Sequence, residues 1–233
     1  MSDDSFDFSP TPRRVLTDDV VDAIRNAILS GKIRPGARLI EEDLAASLKV
    51  SRGPVRQAIF RLQQEGLVVH EPHRGATVGE VSEDDVEAIY SLRLALERLA
   101  IEQASRKASP KQLAEIEAVL ERFNAVPRAE VSRRLVADID IEFHDAIFRA
   151  AGSWRLYRAW ETLRSQLMMF LMLRDALPDD YLDSWHRDHV HLIDVIRGGD
   201  TAVAQDAIET HINGAKGRLL ASLHASGLAS STS

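Results

Sequence analysis

No cysteine occurs in the 233 residues, which excludes disulfides, thiolate nucleophiles and every zinc site built on sulfur. No apolar run approaches the roughly 18–20 residues that a membrane-spanning helix needs, so no membrane partner is expected. The opening stretch Met1–Pro10 is acidic and lacks the basic-then-apolar order of a secretory signal, and a cytoplasmic location is the default expectation. Positive charge is also in short supply. Lys and Arg number 29 against 36 Asp and Glu, a net charge of -7, which taken whole argues against a polyanionic partner. What is present is ordinary for a globular protein: 45% hydrophobic and 28% charged residues, and enough chain for one or two domains with cores that need no covalent staples.

The charge deficit is unevenly spread. Residues 1–80 hold 11 Lys/Arg against 12 Asp/Glu, whereas residues 81–233 hold 18 against 24, so most of the negative excess belongs to the second part. Between residues 49 and 74, Lys49, Arg52, Arg56, Arg61 and Arg74 face only Glu65 and Glu71. A local positive patch of this kind is what phosphate contacts require.

Hydrophobic spacing divides the chain in the same place. Residues 1–13 read as a flexible arm and residues 225–233 as a flexible tail. A helix is predicted over about Asp18–Ser30, capped by Thr17 and stopped by Gly31. A second runs over about Glu41–Leu48, with Glu41, Glu42 and Asp43 in the first turn where the helix dipole favours negative charge. A third is capped by Ser51, has Pro54 in its first turn, buries Val55, Ala58, Ile59 and Leu62, and ends at Gly66. The β-prone runs Leu67–Val69 and Ala76–Val78 flank Pro72-His73-Arg74-Gly75 and read as a hairpin. Helix, helix, tight turn, helix, hairpin is the order of a winged helix-turn-helix, assigned to residues 14–79.

From Ser82 the pattern is helical throughout. One helix carries Val86, Ile89, Leu92, Leu96 and Leu99, and another opens at Ser109-Pro110. Longer helices are predicted over about Arg128–Ala150, Trp154–Leu173, Tyr181–Arg197 and Thr201–Leu223, with a loop at Leu177-Pro178-Asp179-Asp180. Residues 82–224 therefore form an all-α domain, and the fold class is mainly α: a winged helix-turn-helix followed by a helical bundle.

A helix that reads DNA must bury one face and aim basic side chains from its N-terminal end into a groove. Arg52 and Arg56 are four residues apart, on the face away from Val55, Ile59 and Leu62. Ser51 and the helix N-terminus suit a phosphate. Arg guanidinium can take guanine bidentately, and Arg74 with Gly75 can reach a minor groove or the backbone from the hairpin. Read singly, each arginine is equally a solvated side chain.

The stretch Ala27-Ile28-Leu29-Ser30-Gly31-Lys32-Ile33-Arg34-Pro35-Gly36-Ala37-Arg38-Leu39 resembles the opening signature of GntR-type bacterial regulators. So do Leu44-Ala45, Val50-Ser51-Arg52-Gly53-Pro54-Val55-Arg56-Gln57-Ala58, Arg61-Leu62 and Glu65-Gly66-Leu67. The resemblance covers about residues 15–80. It implies that Arg38, Ser51, Arg52, Gly53, Pro54 and Arg56 form the DNA-reading surface, with Arg74 and Gly75 as the wing tip. Gly53 departs from the family, which usually carries Thr or another residue there.

Eight histidines are present. Asp140 and His144 share one helical face at i,i+4, His189 lies mid-helix in the next-to-last helix, and His211 mid-helix in the last. Together they can aim one carboxylate and three imidazoles into a bundle core, a set suited to Zn first, or Ni, Fe or Mn, with coordination positions left open. The competing reading is a group of satisfied structural histidines. His186, one turn from His189, competes for the same place, and His191 should face elsewhere.

Asp140-Ile141-Glu142-Phe143-His144, ending in Ala151-Gly152, resembles the FCD effector domain of the FadR-like GntR branch, as does His189–Asp200 followed by His211. The resemblance spans about residues 82–223, is similar in length to the shorter VanR-like version, and implies a divalent metal at the four positions. Arg93 and Glu97 also match positions where the family often carries Arg and Glu. Arg93 facing the metal would bind a carboxylate effector, whereas on the surface the two would be an ordinary i,i+4 pair.

The expected function is a homodimeric transcriptional repressor, not an enzyme, whose grip on operator DNA is controlled by a small organic acid at the metal. An oxygenase or hydrolase could use the same ligands, but no His-Glu-x-x-His run and no evident general base accompany them. A third reading makes the helical domain a metal-free dimerisation module.

Overall fold

The computed structural model describes residues 13–71, 74–173 and 181–226. The chain divides into two compact units, Met1–Gly79 and Glu80–Ser233. The expected arm up to residue 12, Pro72 and His73, the loop at 177–180 and the tail from residue 227 lie outside the described residues.

The first unit is built from α1 (Arg13–Leu29), α2 (Glu41–Leu48), α3 (Arg52–Gln64), β1 (Val68–Glu71) and β2 (Gly75–Val78). Val20, Val21, Ile24 and Ile28 of α1 and Val55, Ala58, Ile59 and Leu62 of α3 are buried, a helical repeat on each. Arg25 ties the two ends together: its Nη2 and Nε donate to the Glu65 carboxylate at 2.6 and 3.0 Å. Helix α1 starts earlier than the sequence predicts. Thr17 is therefore inside it rather than at its cap, and the Thr17 hydroxyl donates to Gln57 Oε1 at 3.2 Å. The turn from α2 to α3 passes through Lys49 in the left-handed region (φ 56°), and the Val50 amide closes it on the Ala45 carbonyl at 3.0 Å. Gly66, at φ 73°, ends α3 in a conformation that a side chain disfavours. The two strands pair antiparallel from Val68 opposite Val78 to Glu71 opposite Gly75, and Arg38 adds a bridge to Thr77.

The second unit contains α4 (Glu83–Lys107), α5 (Pro110–Asn124), α6 (Arg133–Ala150), α7 (Trp154–Glu161), α8 (Arg164–Met172), α9 (Tyr181–Gly198) and α10 (Thr201–Ser226). Helix α6 is central: Val136, Ile139, Phe143, Ile147 and Phe148 are buried along with Asp140 and His144. It packs on α4, α5, α7 and α8, while α10 lies along α4 and α9. Three sequence expectations are corrected here. The helix predicted from Arg128 begins at Arg133, because Ser132 caps it through the Leu135 amide at 3.1 Å and Arg128–Glu130 form a separate 3-10 turn. The single helix over Trp154–Leu173 is two, broken where the Leu163 amide bonds the Trp160 carbonyl and the Thr162 hydroxyl bonds the Ala159 carbonyl. Helix α10 continues through 225 and 226, residues assigned to the tail.

The inward face of α4 also differs from its leucine repeat. Val86, Tyr90, Arg93, Glu97, Ala100, Ile101 and Ala104 are buried, whereas Leu92 and Leu99 are 47% and 43% exposed. Among the described residues no helix is long and apolar enough to cross a membrane.

Candidate functional site

Four helices of the second unit converge on one group of side chains. Helix α6 contributes Asp140 and His144, α9 His189, α10 His211, and α4 Arg93 and Glu97; all six are buried. A ring nitrogen from each of His144, His189 and His211 lies within 4.8 Å of the other two. His189 Nε2 is also 3.3 Å from Asp140 Oδ1, without hydrogen-bond geometry. The four residues that sequence spacing singled out are thus brought together.

Neighbours set how each group points. His144 Nδ1 is 2.5 Å from Glu97 Oε2, and His189 Nδ1 is 2.6 Å from the Trp185 carbonyl. Both partners are acceptors, so each Nδ1 is the donor and each Nε2 is left to face the centre. His144 Nε2, His189 Nε2 and His211 Nδ1 are buried without a hydrogen-bond partner, a costly arrangement for core histidines. Trp185 Nε1 donates to Asp140 Oδ1 at 2.9 Å and fixes the carboxylate. On the other side Asp145 accepts from Trp160 Nε1 at 2.5 Å and pairs with Arg164 at 3.1 Å.

The electrostatics favour neutral His189 and His211 and charged carboxylates. Burial, aided by the neighbouring imidazoles, pushes His211 well below the usual histidine range. Burial also lowers His189, although Asp140 opposes it. Burial alone would raise Asp140, but His189, His144 and Arg93 hold it well below the usual carboxylate range. Burial likewise works against Glu97, and His144 and Arg93 outweigh it to leave a lowered value. Three imidazole nitrogens without hydrogen-bond partners and one carboxylate, gathered in one buried group, are a donor set that suits a borderline divalent cation. Glu97 and the Trp185 carbonyl occupy the outer positions that orient such ligands.

Arg93 is not on the surface. It is 1% exposed, donates through Nε to Glu97 Oε1 at 2.7 Å, and sits near the rings of Tyr90 and Trp160 at 5.6 and 6.0 Å. Its Nη2 is buried without a hydrogen-bond partner, 3.8 Å from Asp140 Oδ2. Glu97 is fully engaged by His144 and Arg93. His186 does not join the cluster: its Nε2 is 3.0 Å from Asn124 Nδ2. His191 lines a different groove, between α9 and α10. Trp185 and Trp160 were missed by spacing arguments, although Trp185 stands one helical turn before His189.

In the first unit, Arg52 and Arg56 are exposed at the N-terminal end of α3 and their side chains meet Glu42 and Glu41 of α2. Arg56 Nε and Nη2 hold Glu41 at 3.0–3.2 Å. The positive patch is therefore partly neutralised by α2, a pairing that sequence distance concealed. Ser51 stands at the N-cap in extended conformation, but its hydroxyl makes no capping bond, contrary to the expected cap. Pro54 falls in the first turn, and an added Cβ at Gly53 would meet only Ser51 Oγ at 4.0 Å. Arg38 is exposed beside the strands, Arg74 pairs with Glu71 at 2.9 Å, and Gly75 takes φ 80°.

Comparison with known proteins agrees with both units. Residues 16–78 match the family described as bacterial regulatory proteins, gntR family, and residues 88–214 match the FCD domain. A probable D-xylose utilization operon transcriptional repressor of Paenarthrobacter nicotinovorans is 30% identical over 86% of this chain and 87% of its own length. The gluconate operon transcriptional repressor of Bacillus subtilis is 30% identical over 69% and 66%. Among solved structures, a transcriptional regulator GntR from Rhodococcus sp. RHA1 superimposes with a TM-score of 0.70 at 26% identity, over 91% of this chain and 99% of that one.

Proposed function

The chain belongs to the GntR family of bacterial transcriptional regulators and carries an FCD domain, and from that premise we propose a repressor whose DNA affinity is set by a small carboxylate bound at a divalent metal. The observation that carries the reading is the set of three buried, partnerless imidazole nitrogens that meet beside Asp140. Asp140, His144, His189 and His211 would hold the ion, zinc by preference, and the ion would supply an electrophilic anchor for a carboxylate oxygen.

The charge balance supports an anionic effector. With neutral imidazoles, Arg93, Glu97 and Asp140 sum to one negative charge; a divalent ion turns that into one positive, which a monocarboxylate neutralises. Buried charge without compensation is costly, and Arg93 Nη2 still lacks an acceptor. Arg93 is the effector contact, and Glu97 positions both Arg93 and His144.

Arg38, Ser51, Arg52, Gly53, Pro54, Arg56, Arg74 and Gly75 form the DNA surface. One winged helix reads few base pairs, so a homodimer on paired half-sites is expected. Leu92 and Leu99, seven residues apart on one face of α4 and exposed, offer an apolar stripe for a second copy to cover. The relatives' names, a D-xylose operon repressor and a gluconate operon repressor, support repression of a catabolic operon.

The test loads the purified protein with zinc, measures bound metal, and follows binding to a duplex selected from random sequence, with and without lactate, a monocarboxylate. One ion per chain, a dimeric mass on DNA and a DNA affinity altered at least fivefold by lactate are expected, about 1–3 kcal/mol of coupling. No bound ion after titration overturns the metal assignment, and a monomer on DNA overturns the dimer.

A further inference from the structure

A groove of about 490 Å³ lies between α9 and α10, and apart from His211 its lining plays no part in the reading above. Asp206, Thr210, Gly214 and Arg218 line it at successive steps of four along α10, so they form one stripe. Chemistry changes along that stripe from carboxylate to hydroxyl to guanidinium. Asp188 of α9 adds a second carboxylate to the lining.

One observation calls for an acceptor at the Arg218 end, and a second shows how the side chain lies. Arg218 Nε is buried and has no hydrogen-bond partner, and a buried guanidinium N–H calls for an acceptor. The guanidinium also lies across Gly214, where an added Cβ would stand 3.3 Å from Nη1. Glycine inside a helix is unfavourable relative to alanine, and at this position it leaves room for the arginine to fold back along the groove. With the guanidinium over Gly214, Thr210 is about 6 Å away and Asp206 about 12 Å away along the helix axis. Asp188 and Asp206 in the same lining would repel a second anionic group, which argues against a dianion. Carboxylates accept hydrogen bonds from hydroxyl groups.

We propose that this groove binds a small polyhydroxy monocarboxylate, its carboxylate on Arg218 and its hydroxyls on Thr210, Asp206 and Asp188. His211 lines both the groove and the imidazole cluster, so the occupant touches the cluster from outside. The site goes beyond the metal reading and requires no ion.

Calorimetric titration of the full-length protein with gluconate, sorbitol and hexanoate tests this, because each of the latter two lacks one half of the recognised chemistry. Gluconate is expected to bind at least tenfold tighter than either, and to do so equally in EDTA. Arg218→Gln should remove the preference over sorbitol, and Asp206→Asn should narrow the preference over hexanoate, with circular dichroism unchanged. If gluconate binds only with metal and Arg218→Gln leaves its affinity intact, the acid sits at the cluster: the metal reading stands and the groove assignment fails. Absence of gluconate binding in the wild type also overturns the groove, whereas zinc content is read separately.

Discussion

Arg56 and Arg93 each face a carboxylate, and their surroundings give the two pairs opposite meanings. Arg56 is largely exposed beside Glu41, where water screens the pair and a phosphate or a guanine edge can displace the glutamate. Replacing Arg56 with Ala should weaken binding to the selected duplex roughly 10- to 100-fold, and Glu41→Gln should strengthen it; gel-shift titration at fixed salt measures both. Arg93 is buried with Glu97, and removing either partner strands a charge away from water. Trp185 is the third informative residue, since its indole N–H is the bond that holds Asp140. Trp185→Phe keeps an aromatic body against Phe123 and removes the donor. Zinc affinity should fall about 10- to 100-fold, as read by competition with a chromophoric chelator. An unchanged affinity would show that Asp140 needs no such support.

Elements succeed here where local chemistry is complete. Helix α5 opens on a capping box: the Gln112 amide donates to Ser109 Oγ at 3.3 Å, and the Ser109 amide donates to Gln112 Oε1 at 2.9 Å. Ser109→Ala should cost about 0.5–2 kcal/mol in urea unfolding, with metal affinity unaffected because α5 supplies no cluster residue. The same local logic explains the misread elements. Ser132 offers a cap inside what looked like one continuous apolar repeat, and the cap prevails. The break between α7 and α8 has no glycine or proline to announce it. It follows Trp160, whose buried indole is held by Asp145 of α6.

At the scale of the molecule, the division into two units puts Arg52 and Arg56 in one and the imidazole cluster in the other. Anything that binds only the folded second unit should stabilise that unit alone. Zinc at one hundred times its dissociation constant should add about 2.7 kcal/mol. Differential scanning calorimetry should therefore show one transition moving upward with zinc and returning with EDTA, while the transition of the winged-helix unit stays in place. A common shift of both transitions would show that the units unfold together.

Hydrophobic period, turn residues and capping residues act over a few positions, so the sequence alone determined the winged-helix order, most helices of the bundle and the i,i+4 pairing of Asp140 with His144. Mid-helix placement added His189 and His211 as candidates, and the family likeness sharpened the choice of those four residues. Only the tertiary structure decided that His186 turns to Asn124 and away from the cluster. It also decided that Arg93 is interior rather than solvated, that Trp185 and Glu97 hold Asp140 and His144, and that α2 glutamates pair with Arg52 and Arg56. Each of these depends on groups 10 or more residues apart meeting at hydrogen-bond distance, or on which side of α4 faces inward. Helical spacing specifies a face but not its partner: α4 carries Leu92 and Leu99 on one side and Val86, Tyr90, Arg93, Glu97 and Ile101 on another, and packing of α6 and α10 buried the second.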